Sequence, residues 1–473
     1  MILLVSIVTF FVSFVILWIS RKYLAGNGFH SGDTFFHLLI SESIRNNKWK
    51  YPTSLQNVTF DEADEKYKYL RYPPLFHYFV ALFPVKFHLK AAKFLNLILL
   101  SFLGSLTAYF SFALTENVYI AIISSFITVF SMAIFELQVM FTPRPLGLLF
   151  YSLIACLAIF YPQTLFTILI TPLLVAAIIL THKFATQILI FSLIPYALIF
   201  NKPILILGFG LGVLLAIIMS KGVVLKIFKE HISWLYFYSR FPSRASYFLK
   251  LRDIFVRNTW YIAVIAGLAI VFYKNSTLVS AQTTGNIIFW TFIPLVVALL
   301  VSIPNLSFLG ENYRYIEYSV VPLGILSSIL LASLNLFILF AFSVCLVMPI
   351  LILNRYKTHL YKRKDLVNSD DILSYRLLSN YNLGNLLVFP HTRSLEVNYF
   401  TRLKVVHPVR TKETMTDSQI LNSILSKYEI GHVLRFKNKD SNEKFEALTS
   451  IVNVKLISDF GYFELYELNK SKT

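Results

Sequence analysis

Long apolar runs separated by short polar breaks fill the chain as far as residue 353, and then the pattern stops. The runs lie near 2–20, 89–114, 118–138, 145–161, 163–181, 185–200, 203–219, 258–273, 286–303, 317–333 and 335–353. Most are close to the length of about 20 residues that a helix needs to cross a bilayer, which predicts about eleven spans. Most breaks are tight, such as Thr115-Glu116-Asn117 or the turn at Pro162. Two are long. Residues 21–88 form a first loop, and residues 220–257 form a second loop in which Lys and Arg are mixed with Trp, Tyr and Phe. Both Val223–His231 and Trp234–Arg252 read as amphipathic, the composition of a segment lying along a membrane surface. In the first loop, Pro73-Pro74 can start a short helix over Leu75 to Leu82 with an aromatic surface at headgroup level.

From Asn354 a basic linker (Arg355, Lys357, Lys362, Arg363, Lys364) leads into a segment of soluble composition. Leu386–Phe389, His432–Phe436, Lys455–Ser458 and Phe463–Leu468 read as strands, and Asp417–Tyr428 and Asn442–Ile451 as amphipathic helices. The expected fold is a polytopic α-helical membrane domain, 1–353, followed by a small C-terminal α/β soluble domain, 354–473. The second domain has no glycine-rich phosphate loop, metal-ligand spacing or nucleophile constellation, so its expected role is structural or acceptor-positioning.

Composition agrees. The chain is 56% hydrophobic and 14% charged, where soluble proteins carry about a quarter charged residues. Residues 1–20 are expected to stay as a span, because no basic stretch precedes them and no small-residue cleavage site follows. Cys156 and Cys345 both sit in apolar segments and build neither a disulfide framework nor a thiolate metal site. The net charge of +18 suits anionic lipid headgroups or a phosphate-bearing substrate. Nucleic acid is a poor alternative as a partner, since no compact basic domain with a recognisable binding motif is present.

Charges at span ends are costly and each one invites a functional reading. Asp33 and His37 stand four residues apart, on one face of a helix whose first turn favours a carboxylate. Glu136 and Arg144 lie between the third and fourth runs, His182 and Lys183 end the fifth, and Glu311 and Arg314 precede the tenth. Counted alternately, these loops and 220–257 fall on one side of the membrane. Singly, each has a plainer reading. Arg144 between two prolines fits a snorkelling anchor, His182 fits a helix cap, and Arg314 fits a local pair with Glu311 or Glu317. Together, a carboxylate and several cations beside a membrane suit transfer from a lipid phosphate: the cations hold the leaving phosphate and the carboxylate takes a proton from the acceptor.

Gly32-Asp33 followed by Phe36-His37 in a long first loop, then Tyr72-Pro73-Pro74-Leu75-Phe76-His77 before the second span, resembles the GT-C membrane glycosyltransferases. So do Glu311-Asn312-Tyr313-Arg314-Tyr315 before a late span and the small α/β tail. The resemblance implies a polyprenyl- or dolichyl-phosphate-linked sugar donor, an acceptor glycan, lipid or protein, and a prokaryotic plasma-membrane enzyme with its site outside the cytoplasm. It makes Asp33 the general base, with His37 and Glu136 beside it in the catalytic set. By loop position, with no family motif to match, Arg144, His182, Lys183, Glu311 and Arg314 become donor-phosphate residues and Arg240 and Arg244 lie along the lipid's path, while Tyr72 and His77 stand on the acceptor side. A divalent metal (Mg or Mn) held by Asp33 and Glu136 is the one cofactor it allows. Glu136 is single where oligosaccharyltransferases carry a pair of acids, and no Trp-Trp-Asp motif occurs, so a single-sugar transferase fits better. The positive-inside rule favours the reverse orientation, but a phosphate-binding face also needs positive charge. The rival reading is a transporter or flippase of a polyprenyl-linked or anionic lipid.

Overall fold

The computed structural model describes residues 1–26, 28–30, 33–61, 72–161, 164–239, 254, 260–273, 281–333, 354, 357, 366–367, 369–390, 393–408, 418–437 and 439–469. Its first part contains α1 (Ile2–Ala25), β1 (Phe29–His30), α2 (Asp33–Asn46), β2 (Val58–Asp61), α3 (Leu75–Ala81), α4 (His88–Thr115), α5 (Val118–Val129) and α6 (Met132–Val139). The helices α7 (Arg144–Phe160), α8 (Leu165–Thr181), α9 (Lys183–Ile199), α10 (Pro203–Met219) and α11 (Val223–Ser239) follow. After them come α12 (Trp260–Tyr273), α13 (Ala281–Ser302), α14 (Asn312–Ile316) and α15 (Val320–Ser333). The C-terminal part holds β3 (Leu366–Val367), α16 (Ser369–Leu378), β4 (Asn385–Phe389), α17 (Ser394–Thr401), β5 (Val405–Pro408), α18 (Ser418–Lys427), β6 (Ile430–Phe436), α19 (Lys439–Thr449), β7 (Asn453–Asp459) and β8 (Phe463–Asn469).

Polar residues set the helix boundaries where hydropathy alone runs on. Asn117 caps α5 by accepting from the Tyr119 and Ile120 amides at 2.9 and 3.2 Å. Ser131 caps α6 in the same way, so the run read as 118–138 is two helices bent by 62°. Thr164 caps α8, and Pro145 sits in the first turn of α7, where its missing N–H costs nothing. Among the described residues, three helices are long and apolar enough to cross a bilayer unaided, and two bent pairs raise that to as many as five. The 17-residue helices α7, α8 and α9 are shorter apolar rods, about 25 Å each. The 335–353 run lies outside the described residues. In the second loop, α11 turns away from α10 by 110°, and its mixed exposure fits a helix lying along a surface.

Small residues allow close helix contacts. A Cβ on Gly208 would meet Thr171, and one on Gly212 would meet Val175, which locks α10 onto α8. Gly147 of α7 lies against His182 and Ala185, where an added Cβ would stand 3.1 Å from each. That contact fixes the α8–α9 junction against α7.

The chain divides into two compact units. The first, residues 1–24, 71–76 and 89–357, contains the apolar helices. The second, residues 25–70, 77–88 and 358–473, joins most of the first loop to the C-terminal segment. Sequence reading placed that loop with the membrane part. The difference has a plain cause: the C-terminal sheet runs β2-β5-β4-β6-β8-β7, and its first edge strand is β2, from the loop. Strands β2, β5, β4 and β6 are parallel, and β8 and β7 close the other edge antiparallel. Leu387, Phe389, Val406, Leu421, Ile424, Val433, Phe445 and Leu448 form the core under the sheet.

Candidate active site

Asp33 is the first residue of α2 and is exposed. Its carboxylate lies in the first turn, where the unpaired amides favour negative charge. The rest of α2 is anchored by a buried face of Thr34, Phe35, His37, Leu38, Leu39, Ile40, Ser41 and Ile44. His37 belongs to that face. Its Nδ1 stands 2.9 Å from His77 Nε2, and both rings are buried. Burial pushes His37 down to about 3, so it is neutral near pH 7. The structure thus brings His37 and His77 together and leaves Asp33 exposed while His37 is buried. The helical spacing was legible, but the depth of the second position was not.

The other candidates collect in the first unit. Arg144, at the start of α7, donates through Nε to Glu317 Oε2 at 3.3 Å and through Nη2 to Glu317 Oε1. The two side chains are 7% and 3% exposed. Glu136, buried on α6, lies close enough to act electrostatically on Arg144, Tyr313 and Glu317. Arg314 donates through Nε to Glu311 Oε2 at 2.6 Å, Tyr313 donates its hydroxyl to the same oxygen, and the Arg314 guanidinium lies 5.0 Å above the Phe184 ring. Burial alone would raise the Glu311 carboxyl, but Arg314 and the Tyr313 hydroxyl outweigh it and hold the group below the usual carboxylate range. Gly310, at φ 129°, lets the chain pass over Phe184, where a Cβ would collide with the ring. His182 connects α8 to α9, with Nδ1 3.2 Å from the Tyr318 hydroxyl. Lys183 Nζ lies 5.6 Å from the centre of the Tyr72 ring. Three separate stretches of sequence therefore supply one ionic cluster, Glu136, Arg144 and 311–318, and His182 joins its edge through the Tyr318 hydroxyl.

Sequence reasoning missed Glu317 as the partner of Arg144, because 173 residues separate them. The only available signal was that a buried guanidinium demands an acid. It also missed a link from α11 to this cluster. Gln187 Nε2 lies 3.1 Å from His231 Nε2, and Tyr315 donates to Gln187 Oε1 at 3.0 Å. Arg240 and Arg244 lie outside the described residues.

No family model and no curated protein matches the sequence. Solved structures do match its fold. ArnT from Cupriavidus metallidurans bound to undecaprenyl phosphate superposes with a TM-score of 0.60 at 11% identity, over 98% of each chain. The archaeal oligosaccharyltransferase AglB from Archaeoglobus fulgidus, in complex with an inhibitory peptide and a dolichol-phosphate, gives 0.54 at 11% identity, over 98% of this chain and 74% of AglB. The mycobacterial arabinofuranosyltransferase AftD gives 0.54 at 12% identity over 98% of this chain and 40% of its own. The chain shares the fold of these three solved structures. It is a polytopic α-helical architecture with a small C-terminal sheet.

A divalent metal does not fit the described residues. No three of His, Cys, Asp and Glu converge among them.

Proposed function

We propose that this chain is a glycosyltransferase that moves a sugar from a polyprenyl- or dolichyl-phosphate carrier to a glycan, lipid or protein acceptor on the outer side of a prokaryotic plasma membrane. Asp33 takes the proton of the acceptor hydroxyl. The acceptor oxygen attacks the anomeric carbon, the bond from that carbon to the phosphate oxygen breaks, and the lipid phosphate leaves with the electron pair. Positive charge at the phosphate stabilises that departure.

The observation that carries this reading is the ionic cluster of Glu136, Arg144, Glu311, Arg314 and Glu317, with His182 hydrogen-bonded to the adjoining Tyr318 and Lys183 next to it in the chain. It divides into a closed part and an open part. Arg144 is committed to Glu317 and nearly sealed. Arg314 is 29% exposed and braced from behind by Glu311 and Phe184. Arg314, with His182 and Lys183 at the neighbouring helix junction, forms the phosphate-binding group. Arg144, Glu317 and Glu136 hold the 311–318 segment in register with α7. Tyr72 stands on the acceptor side beside Lys183, and His37 and His77 brace the helix that bears Asp33. ArnT and AglB were solved with lipid phosphates, which supports a carrier of that chemistry here.

Purified chain in lipid nanodiscs, supplied with a polyprenyl-phosphate sugar labelled in the sugar and with a membrane extract as acceptor, tests this directly. Release of free polyprenyl phosphate in step with labelled acceptor is expected. In sealed vesicles, transbilayer movement of the intact labelled lipid with no release would support a flippase and refute the transferase.

A further inference from the structure

The helix bearing Asp33 is held by a short run of the C-terminal segment, all within the second unit. Phe35, two residues beyond Asp33 and fully buried, packs against Tyr399 and Phe400, with ring centroids 5.5 and 5.2 Å away. One residue earlier, Asn398 is 1% exposed and donates to the Leu403 carbonyl at 2.9 Å and the Asn57 carbonyl at 3.2 Å. The same Asn57 carbonyl accepts from the Val405 amide at 2.9 Å, and the Asn57 side chain donates to the Arg402 carbonyl at 2.8 Å. Arg402 pairs with Glu42 of α2 at 2.8 Å. From Asn57 the chain enters β2, whose residues lie in parallel register with β5: Val58 opposite Val405, Thr59 opposite Val406, Phe60 opposite His407. Further back, β1 pairs with β3, Phe29 opposite Val367. The residues flanking α2 on both sides are thus strands of C-terminal sheets, and its own buried face rests on α17.

We propose that residues 398–402 are a clamp that sets the position of the Asp33 carboxylate, with Asn398 and Arg402 as positioning residues. The inference rests on the transferase reading for what Asp33 does. Asn398 fixes the loop after α2, Tyr399 and Phe400 fix Phe35, and Arg402 fixes Glu42. A misplacement of about 1 Å at a reacting group can cost on the order of a hundredfold in rate, so a clamp of this kind acts on turnover and leaves carrier binding alone.

The test uses the full chain in nanodiscs, unmodified and as Asn398→Ala, Arg402→Gln and Asp33→Glu. Measured for each are kcat and KM with a polyprenyl-phosphate sugar, the Kd for polyprenyl phosphate alone, and hydrogen exchange over residues 34–46. Asn398→Ala is expected to lower kcat about tenfold or more, leave the Kd unchanged and speed exchange in α2. Arg402→Gln, the milder change at a half-exposed side chain, does the same to a smaller degree. Combined with Asp33→Glu, whose longer side chain already misplaces the carboxylate, Asn398→Ala adds less than its separate effect. An unchanged kcat despite faster exchange overturns the clamp, as does a full additive loss in the Asp33→Glu background. If Asn398→Ala does not fold, Arg402→Gln alone decides, and an unchanged kcat there overturns the proposal. No release of polyprenyl phosphate by the unmodified chain sinks the transferase reading, and the clamp with it. A normal unmodified rate beside an unaltered variant rate sinks the clamp alone.

Discussion

Two buried arginine–glutamate pairs, one in each compact unit, show how the same chemistry serves different ends. In the second unit, Arg393 Nε and Glu396 Oε1 lie 3.0 Å apart, 3% and 0% exposed and one helical turn apart. Aromatic residues surround most of that pair, with buried Asp371 as a further acid acting on Glu396: Tyr375 donates to Glu396, Tyr462 accepts from Arg393 at 2.7 Å, and Phe436 lies 4.5 Å under the guanidinium. Arg144 and Glu317 are nearly as buried, but they join distant parts of the chain and share their surroundings with further charges: Glu136, Glu311 and Arg314. On the proposed reading, the second-unit pair serves packing, whereas the first-unit pair borders the phosphate-binding group that includes Arg314.

The sharpest effect expected lies outside both pairs. Asp33→Asn should lower transfer by on the order of 10²–10⁴-fold, the usual contribution of a general base, while polyprenyl-phosphate binding by filter retention stays within about twofold. Next come the pairs themselves. Glu317→Gln and Glu396→Gln each leave a buried guanidinium without its acid and should each cost about 3–5 kcal/mol in denaturation. The double replacements separate the two regions. Arg393→Met with Glu396→Leu should recover both stability and transfer. Arg144→Met with Glu317→Leu should recover stability but leave donor turnover depressed, because the 311–318 segment loses its charge register. Equal recovery of activity in both would erase the distinction drawn here.

Smaller still is Arg314→Gln, which should raise KM for the lipid-linked donor about tenfold, equivalent to about 1.4 kcal/mol, with less change in kcat. A separate expectation concerns pH. His37, held down at about 3 by burial, stays neutral in the folded chain while the unfolded chain binds a proton below its ordinary value of 6.5. Stability from this group is therefore full above pH 6.5 and falls as pH drops from 6.5 towards 3, by at most about 1.4 kcal/mol per pH unit. Melting curves between pH 4 and 8 should show that slope, and His37→Leu should flatten it.

Hydropathy located α1, α4 and α7–α10 to within a few residues, because a bilayer leaves a chain little choice but a helix. Alternation located β4, β6, β7 and β8 for the same kind of reason. It did not reveal β2 or β5, whose four residues each are shorter than any periodicity can establish, nor the break at Ser131, where one capping hydroxyl outweighs a continuous apolar run. The candidate acids and bases were legible one by one as charges in costly places. Their pairing was not. Glu317 sits beside Arg314 in sequence and binds Arg144 in space, and nothing in the local pattern of residues 311–318 separates those two outcomes. The allegiance of the first loop was hidden likewise, since a strand that completes a sheet formed three hundred residues later carries no local mark of its partner.

On the proposed transferase reading, Asp33 and Arg314 both serve transfer from a lipid phosphate outside the cytoplasm. In a background with Cys156 and Cys345 replaced, single cysteines at 33 and at 314 can be labelled with an impermeant maleimide in sealed vesicles of known sidedness. Both should react from the outside, and excess polyprenyl phosphate should slow both reactions. Labelling of the two positions from opposite sides would contradict the account.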